Sequence, residues 1–429
     1  MTRIKKLLED RATRSWALYD WANSVFATTV IAGFFPIFFK QYWNAGTEAV
    51  VSTARLGFIT SLSGIIILIA APLIGALADR GATRKRYLAV FTLIGAGATM
   101  ALWLIDKGQW GHAATVYVIA ATGFSGAIIL YDSLLPAVGS PEHRHEISAL
   151  GFSLGYLGGG LLFAFNVATV TFPGSFGFAD ESQAVRFSFL LVGIWWLLFS
   201  IPLFRHVPEP PRNIGSGPFK IGDIKKHSLV KGALRHHRMA VLFLLAYFFY
   251  IDAVHTIIRM AVDYGLSIGF TSTSLITALL ITQFVGFPAA LAFGWIARRF
   301  GARLALFIGL MVYIGVTVYA RYMSSAIEFY VLAIIVGLVQ GGVQSVSRSL
   351  FARFVPAAER SGEFFGYFNM LGRFAAIIGP ALVGAVGLWT GDVRDGILAV
   401  LIPLLIGMAL LVFVKESGQA EGSPEGAQK

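Results

Sequence analysis

The chain has 429 residues, of which 56% are hydrophobic and 13% are charged, whereas soluble domains carry about a quarter charged residues. It contains no cysteine, which excludes a disulfide framework and thiolate chemistry. The formal net charge is +11, but no basic run is interleaved with stacking aromatic residues. The composition therefore indicates a membrane protein and argues against nucleic-acid binding.

Apolar runs of about 20 residues have the length that crosses the hydrocarbon core of a lipid bilayer as an α-helix. We therefore predict an all-α membrane protein with twelve transmembrane helices. The predicted spans are residues 15–40, 55–78, 87–105, 112–135, 147–170, 186–204, 240–265, 272–297, 303–322, 327–350, 363–389 and 396–414. Basic residues concentrate on the side that holds both termini. The positive-inside rule thus predicts a multi-pass protein of the cell (inner) membrane with both termini in the cytoplasm.

A stretch rich in proline, glycine and lysine, residues 206–238, interrupts the apolar runs at mid-chain. It predicts a cytoplasmic linker between an N-terminal six-helix bundle, residues 1–205, and a C-terminal six-helix bundle, residues 239–415. Residues 416–429 contain few apolar side chains, so we predict that they form a disordered tail.

The two halves of the chain repeat weakly. Residues 75–80 end the second span as residues 294–299 end the eighth, each with a glycine followed by basic residues. Parallel repeats predict two pseudo-symmetric bundles that rock around a binding cavity at their interface. Within the first half, Gly151, Gly155 and Gly159 recur every four residues, which predicts close packing between helices.

The most informative stretch lies in the seventh span, where Asp252, His255 and Arg259 recur at helical spacing and predict one polar stripe. Charged side chains near the middle of a bilayer cost about 2.5–3.5 kcal/mol each on insertion scales, so they usually serve a transport pathway or a partner. The functional hypothesis is that Arg259 pairs with a substrate carboxylate while His255 or Asp252 titrates. The alternative is a buried structural ion pair.

Other polar side chains also lie within the predicted spans. We predict that the substrate or ion site includes Tyr19, Asp20, Asn23, Gln283, Gln340, Gln344, Asn369 and Arg373. For the amides, the alternative is hydrogen bonding between helices, worth about 0.6 kcal/mol on average. Asp20 lies only about 9 Å into its span at 1.5 Å per residue. It therefore either lines the cavity or pairs with an arginine at the cytoplasmic side.

Ionisable residues mark the cytoplasmic ends of several spans. Asp132 and Arg348 predict a gating salt bridge between the halves, with a snorkelling Arg348 as the alternative. Asp79, Arg80 and Arg84, in the loop after the second span, predict a conformational latch. The reason is that a carboxylate at a helix end can accept backbone N–H groups of a neighbouring element in one conformational state only.

The twelve-span layout and the loop at residues 75–86 resemble the major facilitator superfamily, in which a short Gly-x-x-x-Asp-Arg…Arg loop joins the second and third helices. Further stretches resemble the vacuole-effluxer-like branch, named for a fungal autophagy-related amino-acid exporter. These are residues 16–24, 131–136, 151–160, 347–353 and 363–366. The resemblance covers nearly the whole chain and implies a secondary transporter, with amino acids as the first substrate class to consider.

The sequence carries none of the enzyme motifs His-Glu-x-x-His, Gly-x-Ser-x-Gly or the phosphate-binding Gly-x-x-x-x-Gly-Lys-Ser/Thr. We therefore predict a secondary active transporter, not an enzyme, with no cofactor and no metal. It would act as a monomer in the lipid bilayer on a small polar or zwitterionic metabolite, with protons as the candidate coupling ion. The alternatives are an exporter of drugs or lipids, with a largely apolar cavity, and a non-transporting receptor or scaffold, which needs no accessible polar cavity.

Overall fold

The structure, a computed structural model, describes residues 7–81, 84–210, 238–355 and 361–415. Most of the predicted linker and the predicted tail lie outside the described residues, so the proposals for those two segments stay predictions. Within the described ranges the regular secondary structure is helical throughout.

Twelve helices in the described ranges are long and apolar enough to cross a membrane, which confirms the predicted fold class. We number them in chain order. They are α1 Arg11–Trp43, α2 Ala49–Gly81, α3 Arg84–Ala101, α4 Trp110–Leu134, α5 Arg144–Thr171, α6 Glu181–His206, α7 Arg238–Ser267, α8 Ser272–Phe300, α9 Ala302–Tyr322, α10 Ala326–Phe354, α11 Ser361–Thr390 and α12 Arg394–Val412.

Polar residues fix the ends of several helices. The Asp180 carboxylate accepts the backbone N–H of Gln183 at 2.8 Å and so caps α6. Ser325 and Glu328 form a reciprocal capping box at the start of α10. These side chains satisfy backbone N–H groups that have no partner inside the helix. Gly301 separates α8 from α9 with φ of +97°, a conformation that favours glycine.

The second half of α1 departs from regular α-helical geometry. Residues Phe26–Phe34 and Phe39–Trp43 are π-helical and flank one short α-helical turn, Phe35–Phe38. Pro36 lies in that turn and has no N–H to donate, so a regular ladder of hydrogen bonds cannot run through it. π-Helical turns often occur at functional sites, and this part of α1 lines the cavity described below.

The same helix pairs form in both halves of the chain. In the first half α1 packs against α5 and α6, and α4 packs against α2 and α3. In the second half α7 packs against α11 and α12, and α10 packs against α8 and α9. The seam between the halves is made chiefly by α2 with α11 and by α5 with α8. These two pairs correspond under the repeat, as expected for pseudo-symmetric bundles.

Glycines allow the halves to approach closely at this seam. A Cβ at Gly75 of α2 would overlap the backbone carbonyl of Gly362 at the start of α11. A Cβ at Gly160 of α5 would lie 3.0 Å from the Cβ of Gln283 on α8. Small residues at such contacts let helix backbones pack tightly in a membrane.

Candidate functional site: a cavity between the halves

A cavity of about 420 Å³ lies between the two halves. It is lined by α1, α4 and α5 from the first half and by helices from α7 to α12 from the second. Most of its surface is apolar, and the acids, arginines and histidine among its lining residues are Asp20, Asp132, His255, Arg259, Arg348 and Arg373. The cavity therefore combines a hydrophobic wall with a few charged groups, as small-molecule binding sites usually do.

Hydrogen bonds and ion pairs join the halves at the end of the molecule where α1 begins and α12 ends, which we call the terminal side. There Arg348 of α10 reaches across the seam between two acids of the first half. Its Nη2 lies 3.0 Å from Asp20 Oδ2, and its Nη1 lies 3.1 Å from Asp132 Oδ1. We call these three residues the Arg348 cluster. The pairing that the sequence suggested for Asp132 and Arg348 is thus present, and Asp20 joins it.

The first half surrounds the Arg348 guanidinium on its remaining sides. Nε donates to Ser148 Oγ at 2.9 Å, and Nη2 donates to the Ser148 carbonyl at 3.0 Å. The guanidinium also lies 4.8 Å from the Trp16 ring and 4.4 Å from the Phe152 ring, which is cation–π geometry. With every side occupied, the side chain is only 3% exposed. Arg348 therefore plugs the cavity and does not snorkel to the interface.

A second contact locks the terminal side between α2 and α11. The Asp79 carboxylate accepts the backbone N–H groups of Gly362 at 2.8 Å and Glu363 at 2.7 Å. It also pairs with Arg84, whose Nε donates to Asp79 Oδ1 at 2.9 Å. Asp79 thus caps a helix of the opposite half, which is the geometry expected of a latch. The side chain of Arg80 is outside the described part of the structure.

The start of the linker is attached to the same corner. Glu209 accepts the backbone N–H of Arg84 at 2.6 Å and that of Lys85 at 3.1 Å, so it caps α3. Lys85 Nζ donates to the Val207 carbonyl at 2.7 Å. The contact between α2 and α11 corresponds in the repeat to the contact between α8 and α5, where Arg298 of α8 pairs with Glu146 of α5 at 2.6 Å.

Asp79→Ala should favour the conformation that is open at the terminal side. The variant loses the cap of α11, and a lost helix cap costs about 0.5–2 kcal/mol. A cysteine at Ser349 reports the change, because Ser349 is fully buried at the seam and the chain has no other thiol. We expect its labelling by a membrane-impermeant maleimide to rise by roughly 2- to 30-fold. An unchanged rate, measured against a cysteine at exposed Ser140, would show that Asp79 is no latch.

Two arginines lie deeper in the cavity, away from the terminal side. Within the described residues, neither Arg259 of α7 nor Arg373 of α11 has an ion pair or hydrogen bond with a carboxylate. Their charges are close enough to interact with each other. The Arg373 guanidinium also lies 6.0 Å from the Phe124 ring. His255, one turn before Arg259, lines the same space and has Nδ1 3.3 Å from the Gly372 carbonyl.

The structure brings most of the sequence-predicted polar residues to this cavity. The neutral ones among its lining residues are Asn23, Gln283, Gln340, Gln344 and Asn369. Asn369 also donates to Asp132 Oδ2 at 3.2 Å, which connects it to the Arg348 cluster. Tyr19 is different. It is fully buried inside the first half, where its hydroxyl lies 2.6 Å from Thr92 Oγ1 of α3, and it is not among the lining residues.

Asp252 also lies away from the cavity, so the predicted polar stripe on α7 is not continuous. Its side chain is 2% exposed, and Oδ1 accepts the backbone N–H of Gly379 on α11 at 2.8 Å. The cavity face of α7 is centred on Ile251, His255 and Ile258. At 100° per residue, Asp252 lies about 90° from that centre. Its short side chain cannot bridge this angle, whereas the long side chain of Arg259 can.

Asp252→Asn should leave substrate affinity unchanged and should not lower the free energy of unfolding, because an amide Oδ1 can still accept the Gly379 N–H. Asp252→Leu removes that hydrogen bond and should cost about 0.5–1.5 kcal/mol. Ligand-induced thermal shifts and reversible unfolding in mixed micelles measure the two quantities. A clear loss of ligand binding in Asp252→Asn would return this residue to the binding site.

Sequence reasoning missed one contributor to the Arg348 cluster and misread another. Ser148 was not singled out, and nothing in its spacing indicates that it receives an arginine. Gly151 was assigned to helix packing, but a Cβ there would collide with Asp20 Oδ2 and lie 3.1 Å from Arg348 Nη2. Gly151 therefore leaves room for an ion pair between the halves. The spacing of the glycines alone does not distinguish this role from helix packing.

Comparison with known proteins agrees with this geometry. A family model described as "Vacuole effluxer Atg22 like" matches residues 45–422. The chain is 36% identical over 418 residues to the uncharacterized MFS-type transporter YxiO of Bacillus subtilis (strain 168), covering 96% of each chain. It is 24% identical over 388 residues to autophagy-related protein 22 of Vanderwaltozyma polyspora, covering 79% of this chain and 73% of that protein.

The fold is also similar to that of a solved transporter. The human organic anion transporter MFSD10 superposes with a TM-score of 0.73 at 16% sequence identity, covering 94% of this chain and 99% of that one. At this level of identity the likeness shows the fold alone.

Proposed function

Because the chain belongs to the vacuole effluxer Atg22-like family of MFS-type transporters, we propose that it carries a small carboxylate-bearing metabolite, with amino acids first, by alternating access. It is a multi-pass membrane transporter and not an enzyme. The substrate class, the driving force and the orientation are the parts that we propose.

One observation supports a carboxylate substrate above all. Arg259 and Arg373 enter the same cavity from α7 and α11, and in the described part of the chain no acid neutralises either. Two like charges held together in a partly desolvated space are costly unless a counter-charge joins them. A substrate carboxylate supplies that charge, and guanidinium groups bind carboxylates with short, directed hydrogen bonds.

An amino acid also needs a place for its ammonium group. The amide oxygens of Gln283, Gln340 and Gln344 can accept hydrogen bonds from it inside the cavity. The apolar lining can take up a side chain. Family membership adds to this chemistry and puts amino acids ahead of other carboxylates.

The second candidate is an organic anion without an amino group. Its support is that both cavity acids, Asp20 and Asp132, are already engaged by Arg348, so no free carboxylate is left for an ammonium group. Arginines in the cavity disfavour a drug or lipid exporter, for which an apolar lining was expected.

Alternating access accounts for the asymmetry of the seam. The hydrogen bonds and ion pairs described above between the halves all lie towards the terminal side, whereas Arg259 remains exposed in the cavity. If the terminal side is cytoplasmic, as the positive-inside rule predicts, this conformation faces away from the cytoplasm. A proton or substrate gradient would drive the cycle, and because one chain encloses the whole cavity, we propose that it works as a monomer.

A thermal-shift panel on the purified protein tests the substrate class. It compares amino acids, the matching acids without the amino group, and the matching amines without the carboxylate. A ligand at about 100 times its dissociation constant should add about 2.7 kcal/mol of stability. We expect shifts with amino acids and none with the amines. Equal shifts with the deaminated acids would favour the organic-anion function, and shifts with the amines alone would refute a carboxylate substrate.

A further inference from the structure

We propose that Asp20 and Asp132 form a shared proton site that is filled when Arg348 leaves them, so that opening of the terminal side takes up a proton. This inference rests on the proposed alternating-access function. It assigns the coupling proton to the Arg348 cluster and not to Asp252 or His255.

The charges of the Arg348 cluster do not balance. Two carboxylates from the first half share one guanidinium from the second half, at 3.0 and 3.1 Å. All three side chains are at most 9% exposed, so water does little to screen them. When both acids are ionised the cluster carries a net charge of −1, and this arrangement holds together because the guanidinium separates the two acids.

The neighbouring helices supply few other charges. The titratable or charged groups that face the two carboxylates are Tyr19 of α1, Tyr131 of α4, Tyr247 of α7, Arg348 of α10 and Arg373 of α11. Tyr131 donates its hydroxyl to Asp20 Oδ2 at 2.9 Å, and Asn369 donates to Asp132 Oδ2 at 3.2 Å. Both are neutral donors, and Arg373 is the only other cation among these groups, without a direct bond to either acid.

Opening the terminal side must separate α10 from α1, α4 and α5, because Arg348 of α10 bonds directly to Asp20, Asp132 and Ser148 on these three helices. Asp20 and Asp132 then stay together in the first half without their cation. Two carboxylates in such an apolar place cannot both remain ionised, so one of them takes up a proton. A hydronium ion in the newly opened cavity donates the proton: its O–H bond breaks as an O–H bond forms on one carboxylate oxygen, and a water molecule is left. When Arg348 returns, the carboxyl gives the proton back to water.

Cysteine labelling tests this without a substrate. The reporter is Ser349→Cys, one residue beyond Arg348 on α10 and buried at the seam against His145, whose Nδ1 lies 2.7 Å from Ser349 Oγ. Its maleimide rate is divided by that of exposed Ser140→Cys, because thiolate reactivity itself falls with pH. We expect the ratio to rise on acidification, by at most about tenfold per pH unit for one proton.

Five further variants identify the group that titrates. Asp20→Asn and Asp132→Asn imitate the protonated carboxyl, so each should raise the ratio at neutral pH and flatten its dependence on pH. Asp79→Asn, His145→Gln and Glu146→Gln each remove another titratable group described at this seam, and in all three the pH dependence should persist.

The inference is overturned if the ratio does not change with pH, or if its pH dependence survives in both Asp20→Asn and Asp132→Asn. The same holds if the dependence disappears in Asp79→Asn, His145→Gln or Glu146→Gln. Because the labelling assay contains no ligand, a negative result in it does not bear on the substrate class that the thermal-shift panel tests. Failure of the substrate panel, in turn, does not alter the labelling result.

Discussion

Replacing Arg348 with glutamine should lower the free energy of unfolding by about 3–5 kcal/mol, because two buried carboxylates lose the cation that neutralises them. No other group can take its place: Ser148 offers only one hydroxyl hydrogen, and Arg373 makes no direct bond to either acid. The loss should appear as a lower midpoint in reversible unfolding of the purified protein in mixed micelles.

Two comparisons separate the charge effect from a loss of packing. Arg299→Gln removes an exposed arginine at the end of α8 and should change stability by less than about 0.5 kcal/mol. Combining Arg348→Gln with Asp20→Asn and Asp132→Asn removes the uncompensated charge and should recover most of the loss. If Arg348→Gln is as stable as Arg299→Gln, the Arg348 cluster does not hold the terminal side closed.

Arg373→Gln should weaken binding of the carboxylate-bearing ligand by roughly 10- to 100-fold, since a hydrogen bond to a charged group contributes about 1.5–3 kcal/mol. It should not destabilise the protein, because it relieves repulsion with Arg259 in the empty cavity. The ligand that shifts the wild-type melting temperature most is titrated against both proteins to measure this.

Arg373→Lys is the matched control, because it keeps the positive charge but removes the planar guanidinium group. A lysine keeps the attraction for a carboxylate but cannot make two parallel hydrogen bonds, so its affinity should lie between those of the wild type and the glutamine variant. Equal affinity in all three proteins would place the substrate carboxylate elsewhere in the cavity.

Sequence alone predicted the layout of the fold because length and hydropathy determine which segments can cross a bilayer. The sequence predicts all twelve spans, and two ionisable residues near the ends of corresponding helices, Asp132 and Arg348, predict a salt bridge as one of two alternatives. Such residues need partners in an apolar environment, so the choice of partners was small.

The orientation of single side chains could not be predicted in the same way. Asp252 lies on the edge of the cavity face of α7, and whether it turns towards the cavity or towards α11 depends on where Gly379 packs. Tyr19 is directed inward by a hydroxyl of α3 that is far away in sequence. Helical periodicity gives an angle around one helix, but the neighbours that receive each side chain are set by the tertiary arrangement.

The attachment of Glu209 to the start of α3 has a mechanical consequence. The first residues after α6 are fixed in place, because Glu209 bonds to the start of α3. This contact lies next to the one in which Asp79 caps α11. A force transmitted through these first residues would act directly on the start of α3, next to Asp79. We therefore expect that shortening the segment between α6 and Glu209 changes the rate of the transport cycle and leaves ligand affinity unchanged.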